Sequence, residues 1–195
     1  LSEIGAKLLV ETLKQIEAGT APRIKQGEEF TIAPMLEKEM SKINWKALVI
    51  SIIIPLAVGG LSAIITQNQM QKYGDLVQPP LAPPAWLFPI VWTALFILMG
   101  ISSYLIYMKT DDILSPCLKL YAAQLVVNFF WTILFFNFHA YLISFIWIIL
   151  LIFLIVKMIS CFAKVSKPAA YIQIPYIVWT CFAAYLNIAI YFLNK

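Results

Sequence analysis

Long apolar runs, separated by short polar punctuation, occupy the chain from about Lys46 to its end. A membrane-crossing helix needs about 20 mostly apolar residues, and five such runs can be marked. They cover about 46–66, 87–108, 118–138, 141–162 and 169–193. Only Asn137 to Ala140 separates the third from the fourth, which predicts a tight antiparallel hairpin. The pattern predicts an all-α fold, a bundle of five transmembrane helices. Pro55 and the Gly59–Gly60 pair fall inside the first run, where neighbouring helices must cover the backbone groups they free. Gly59 and Ala63 make a small-xxx-small pair, which marks close packing either within one protomer or between two.

The segment before these runs reads differently. Ile4, Leu8, Leu9, Leu13 and Ile16 recur at helical spacing and Gly19 supplies a stop. A charged, extended stretch follows to Glu39, with Pro22 and Pro34 limiting any helix. This predicts a short amphipathic helix and a tail, too small to bury a core alone. Between the first two spans lies a second unusual segment, Gln67 to Trp86. Pro79, Pro80, Pro83 and Pro84 stiffen it, so it is either a lid over a site or a rigid connector.

Composition agrees with the pattern. Of 195 residues 62% are hydrophobic and 12% charged, against about 45–50% and about 25% in soluble domains. The formal net charge of +4 comes largely from scattered lysines at helix ends, usual for membrane flanks, so no nucleic-acid partner is expected. Lys42, Lys46, Lys109, Lys157, Lys164 and Lys167 flank one side, and Lys72 and Lys195 the other. The positive-inside rule then places the N-terminus in the cytoplasm. Cys117, Cys161 and Cys181 are odd in number and far apart. They indicate neither a disulfide framework nor a metal site, and read as buried thiols.

Candidate chemistry narrows by elimination. No Asp, Glu, Arg or His lies within the apolar interior of a span, which speaks against ion-coupled transport and voltage sensing. The single histidine, His139, cannot supply paired haem ligands. Serine-hydrolase sets, phosphate loops and carboxylate pairs are missing too, so no cofactor is required. The polarity that remains is neutral and aromatic. Phe88, Trp92, Phe96, Met99 and Ser103 share a stripe of the second span; Gln124, Asn128, Trp131 and Phe135 share one on the third. Tyr176, Trp179, Ala183 and Asn187 follow on the fifth. If the stripes converge they form an aromatic cavity suited to a flat conjugated ligand. The alternative is interfacial anchoring by Trp and Tyr, with amides bonding between helices.

Three segments carry a family resemblance: PPLAPPAWLFPIVWTALFILMGISSYL from Pro79 to Leu105, QLVVNFFWTILFF from Gln124 to Phe136, and IPYIVWTCFAAYLN from Ile174 to Asn187. Over about residues 40–195 the chain resembles the TspO, or translocator protein, family. The resemblance implies a homodimer in the bilayer, in a bacterial cell membrane, binding protoporphyrin-like tetrapyrroles in a sensory, transport or scavenging role. It implies a ligand site of Tyr73, Trp92, Phe96, Gln124, Asn128, Trp179, Phe182 and Ala183. It also implies an alternative, light-dependent porphyrin degradation with Trp92 and Trp179 as the reacting tryptophans. A stress-linked membrane scaffold is a third possibility. The chain departs from the family at Lys72, where a Trp often precedes the matched Tyr73. Leu186, Tyr191 and Lys195 fit a loose sterol pattern only at shifted positions. Residues 5–39 resemble a stretch of methionyl-tRNA formyltransferase lying outside its catalytic core, so residues 1–39 are expected to be a fusion or a misplaced start without that activity.

Overall fold

The computed structural model describes residues 43–67, 69 and 76–195, together with Lys14, Glu17 and Ala18. The expected amphipathic helix, extended tail and formyltransferase-like segment lie otherwise outside the described residues, as does Tyr73. Residues Ile43–Lys195 form one compact unit. Among its described residues six helices occur: α1 (Trp45–Thr66), α2 (Leu87–Thr110), α3 (Pro116–Phe136), α4 (Tyr141–Val165), α5 (Lys167–Ile172) and α6 (Ile174–Leu193). With α5 and α6 counted together, five are long and apolar enough to cross a membrane. No strand occurs among the described residues.

Local chemistry sets the helix ends. Asn44 caps α1 by accepting from the Ala47 N–H at 3.1 Å, while its own N–H donates to the Tyr104 hydroxyl on α2. α2 stops where Asp111 turns left-handed, at φ 50°. Pro116 opens α3, where its missing N–H costs nothing. The fifth span is broken at Gln173, which the apolar pattern does not reveal. Pro175 has no N–H to give, and the Gln173 N–H closes a tighter turn onto Ala170 and Tyr171.

Packing depends on close approach. A Cβ on Gly100 would lie 2.5 Å from the Ile52 Cα and 2.7 Å from the Ser51 carbonyl oxygen. A Cβ on Gly59 would run into the Phe96 ring, whereas Gly60 faces open space. Gly59 therefore serves packing of α1 on α2 within the protomer. α3 and α4 form the expected hairpin, joined by the Trp147 indole N–H donating to the Val127 carbonyl at 2.8 Å. Outward faces carry Ile53, Ile64, Ile146, Phe153 and Val178, as a lipid-facing surface requires.

The cysteine reading is overturned. Cys117 and Cys161 form a disulfide linking the start of α3 to the last turns of α4, and the free Cys181 is exposed. Sequence spacing hides the pair because most of α3 and of α4 lies between its members in the chain, yet the hairpin brings their Cα atoms to 5.5 Å. Lys157 also sits deeper than an end residue. It is eight positions before Val165, about 12 Å along the helix, exposed, with its ammonium over the Phe153 ring.

Gly100→Ala is expected to lower stability by about 1–3 kcal/mol through overpacking, and Gly60→Ala to leave it nearly unchanged. Thermal unfolding of both variants in lipid nanodiscs checks the contrast. Reduction of the Cys117–Cys161 bridge, or Cys117→Ser, is expected to cost up to about 4 kcal/mol in the chain-entropy view. Denaturant unfolding with and without reductant measures it.

Candidate functional site

Inside a bilayer every buried polar group needs a protein partner, and the bundle meets this demand with amides and one phenol. The Tyr176 hydroxyl on α6 accepts from Asn128 Nδ2 at 2.9 Å and donates to Gln124 Oε1 at 2.7 Å, both on α3. Gln124 Nε2 in turn reaches the Met99 sulfur of α2 at 3.8 Å. Tyr176 and Gln124 are fully buried. One turn spacing on α3 puts both amides on one face, which is why a single hydroxyl serves both. Nearer the other end of α6, Asn187 donates to the Tyr141 carbonyl at 2.7 Å and accepts from Trp131 Nε1 at 3.2 Å.

A cavity of about 100 Å³ lies beside this network, between α1, α2 and α3. Trp92 and Phe96 form one wall, Asn128 and Trp131 the facing one, and Gly59 and Ser62 the third. The tryptophan rings of Trp92 and Trp131 are 5.9 Å apart and tilted by 36°. Trp92 also meets Tyr176 edge-on, and Trp131 stacks on Phe135. Small-molecule sites usually offer about 300–1,000 Å³, so the walls must part before a macrocycle fits between them.

Over this end of the bundle runs the described part of the proline-rich connection. Asn194, just past α6, clasps Val77 from both sides: it accepts from the Val77 N–H at 2.9 Å and donates to its carbonyl at 3.1 Å. The Tyr185 hydroxyl donates to the Pro80 carbonyl at 2.9 Å. Leu81 takes a positive φ of 72°, so the turn between the proline pairs is strained for an L residue.

The expected site residues separate into groups. Trp92, Phe96 and Asn128 line the cavity together. Gln124 lies next to it through the Tyr176 hydroxyl and does not reach the wall. Ala183 borders a much smaller space with Phe88, Trp131 and Leu186. Trp179 and Phe182 are half-buried and pack on each other at 5.5 Å; Phe88, edge-on to Trp179, is the ring that reaches the cavity. The Trp179 indole N–H is buried without a partner, a donor left for something else to use. Sequence reasoning did not assign the α1 wall of Gly59, Ser62 and Thr66. Its signal was present in the small and hydroxylated positions of an otherwise aliphatic helix.

Comparison with known proteins gives one consistent result. Residues 51–193 match the TspO/MBR family. The "Tryptophan-rich protein TspO" of Chlorobaculum tepidum is 38% identical over 151 residues, covering 75% of this chain and 95% of that protein. The protein of the same name from Archaeoglobus fulgidus is 35% identical over 153 residues, covering 78% and 99%. The "Translocator protein" of Ovis aries is 35% identical over 119 residues, covering 59% and 70%.

Tyr176→Phe removes the hydroxyl and leaves the Gln124 and Asn128 amides each short of a bond. A loss of about 1–3 kcal/mol per group is the usual penalty. The variant is expected to unfold well below the parent in a thermal scan, and the double change Gln124→Leu/Tyr176→Phe to recover part of the difference.

Proposed function

The chain belongs to the TspO/MBR family, and on that premise we propose that it binds a protoporphyrin-type tetrapyrrole inside the bilayer, in a sensory, transport or scavenging role. The observation that carries this reading is the cavity wall itself. Trp92, Phe96 and Trp131 present ring faces around one opening, with the Asn128 amide among them. A planar macrocycle gains from stacking on such faces and needs few hydrogen bonds to be oriented. Trp179 belongs to the proposed site through the family resemblance; it packs edge-on against Phe88, and its indole N–H has no partner. Tyr185 and Asn194 hold the proline-rich connection across the same end, where it would limit escape, and Tyr73 on that connection belongs to the proposed site through the family resemblance.

The proposal includes a homodimer in a bacterial cell membrane. Its second copy would pack on the apolar α1 face around Gly60, where nothing approaches within 4 Å. The lysine-rich end, with Lys46, Lys109 and Lys167, would face the cytoplasm. In that orientation the cellular thiol pool keeps Cys117 and Cys161 reduced, and their bridge is a product of oxidation. A second reading, light-dependent porphyrin breakdown, is favoured by one observation: two tryptophans, Trp92 and Trp131, border the same cavity within 5.9 Å of each other. Excited porphyrin would there lie beside oxidisable rings.

Titration of the full chain with protoporphyrin in the dark is expected to quench tryptophan fluorescence saturably. Trp92→Ala should weaken binding about tenfold, and Trp179→Ala, off the cavity wall, by less. Illumination that converts the porphyrin only when Trp92 is present would establish the enzyme. A porphyrin that stays intact would establish a binder or carrier. Non-saturable quenching that ignores Trp92 would remove the porphyrin site and leave a membrane scaffold.

A further inference from the structure

The tryptophan-lined cavity is not the only open space among the described residues. A cleft of about 570 Å³ lies at the opposite end of the bundle, again between α1, α2 and α3. Its walls are mostly aliphatic, with Ile50 and Ile54 of α1 at the rim and Leu125 of α3 at the deep end. Four hydroxyl-bearing residues line this apolar space: Ser51, Ser103, Tyr107 and Tyr121. Two carboxylates, Asp111 and Asp112, stand at its mouth.

The Tyr121 side chain is only 6% exposed, yet its hydroxyl has no well-formed hydrogen bond. The hydroxyl beside it, Ser103, donates to the Gly100 carbonyl at 2.9 Å and so can offer Tyr121 only its oxygen, as a weakly aligned acceptor. A buried hydroxyl so poorly satisfied gains from a better acceptor, and here it faces a space large enough to hold one. Among the residues that line the cleft, only the two carboxylates are charged. Asp112 uses one oxygen to accept from the Leu114 N–H at 2.8 Å, which leaves the other free of that turn. Lys46, Lys109 and Lys119 are exposed at this end, but none lines the cleft. The C-terminus of α2 and the N-terminus of α3 meet here, so their opposite partial charges offset, and the two carboxylates set the sign.

From this arrangement we infer that the cleft is a second ligand site, for a free amphiphilic amine: an apolar body, a hydrogen-bond acceptor partway along it, and a cationic end. The ammonium sits between Asp111 and Asp112, the acceptor takes the Tyr121 proton, and the tail lies along Leu125 and Ile54. Spacing follows from the helix. Tyr121 is five residues into α3 from Pro116, about 7–8 Å below the mouth, which is the reach of a five-methylene spacer. A phospholipid amine fits poorly, because its phosphate would lie against the same carboxylates.

The test uses N-octyl-6-aminohexanamide, whose amine and amide carbonyl have that spacing. Its counterpart is the mono-octylamide of adipic acid, of equal length with a carboxylate for the amine. Calorimetric titration of the full chain in phosphatidylcholine nanodiscs is expected to show one saturable site for the amine, absent from empty discs and from titrations with the acid. Asp111→Asn/Asp112→Asn should weaken the amine about tenfold, Tyr121→Phe about fivefold, and Leu125→Trp should abolish binding by filling the space. Ile146→Leu, on the outer face of α4, should change nothing. If Leu125→Trp unfolds early in a thermal scan, the isosteric Tyr121→Phe and the Asp pair decide. Equal binding of the acid, indifference to both the Asp and Tyr121 changes, or no saturable heat would overturn the assignment. Competition by discs enriched in phosphatidylethanolamine would also overturn it, in favour of a lipid.

Discussion

One phenol holds two helices together where water cannot help. The Tyr176 hydroxyl gives its proton to Gln124 and takes one from Asn128, so both of its ordinary roles are used between α3 and α6. In lipid, helices gain little from burying apolar area, since the surrounding chains are as apolar as leucine. Fit and hydrogen bonds must therefore fix the register. Trp92, Trp131 and Asn128 keep their places around the cavity because this bridge fixes the face that α3 turns inward. The same bridge keeps a polar group out of contact with hydrocarbon, which would cost far more than the bond itself returns.

The five spans were legible in the sequence because hydrophobic length is a direct physical requirement of the bilayer. So was the α3–α4 hairpin, where four residues leave no other path. Features that depend on contacts between distant positions were not legible. Cys117 and Cys161 are 44 residues apart, and only the antiparallel return of α4 makes them neighbours. The interruption at Gln173 was masked by the apolar character of the residues on both sides. Pro175 was visible, but prolines are tolerated inside spans, as Pro55 is in α1, so its presence alone decided nothing.

The site was legible as stripes and less so as a wall. Helical spacing identifies which side chains share a face, and Trp92, Phe96 and Asn128 do converge. It does not tell how far each helix is rotated or which neighbour stands in front. Phe88 reaches the cavity where Trp179 and Phe182 do not. The contribution of α1 was hidden for a different reason: Gly59 offers no side chain to notice, yet its missing Cβ is what makes room for Phe96.

Gly59 and Gly100 fasten α1 to α2 so closely that the pair has little freedom to separate. On the other side, the Cys117–Cys161 bridge, the Trp147 indole and the Tyr176 hydroxyl join α3, α4 and α6. The bundle thus consists of two stiff halves, and both cavities lie on the seam between them, one at each end. Ring contacts dominate that seam near the tryptophans, while towards the lysine-rich end Ser102 of α2 donates to the Ala169 carbonyl of α5 at 2.7 Å. Widening either cavity therefore draws on contacts of the same seam, ring against ring at the tryptophan end and hydroxyl against carbonyl towards the other.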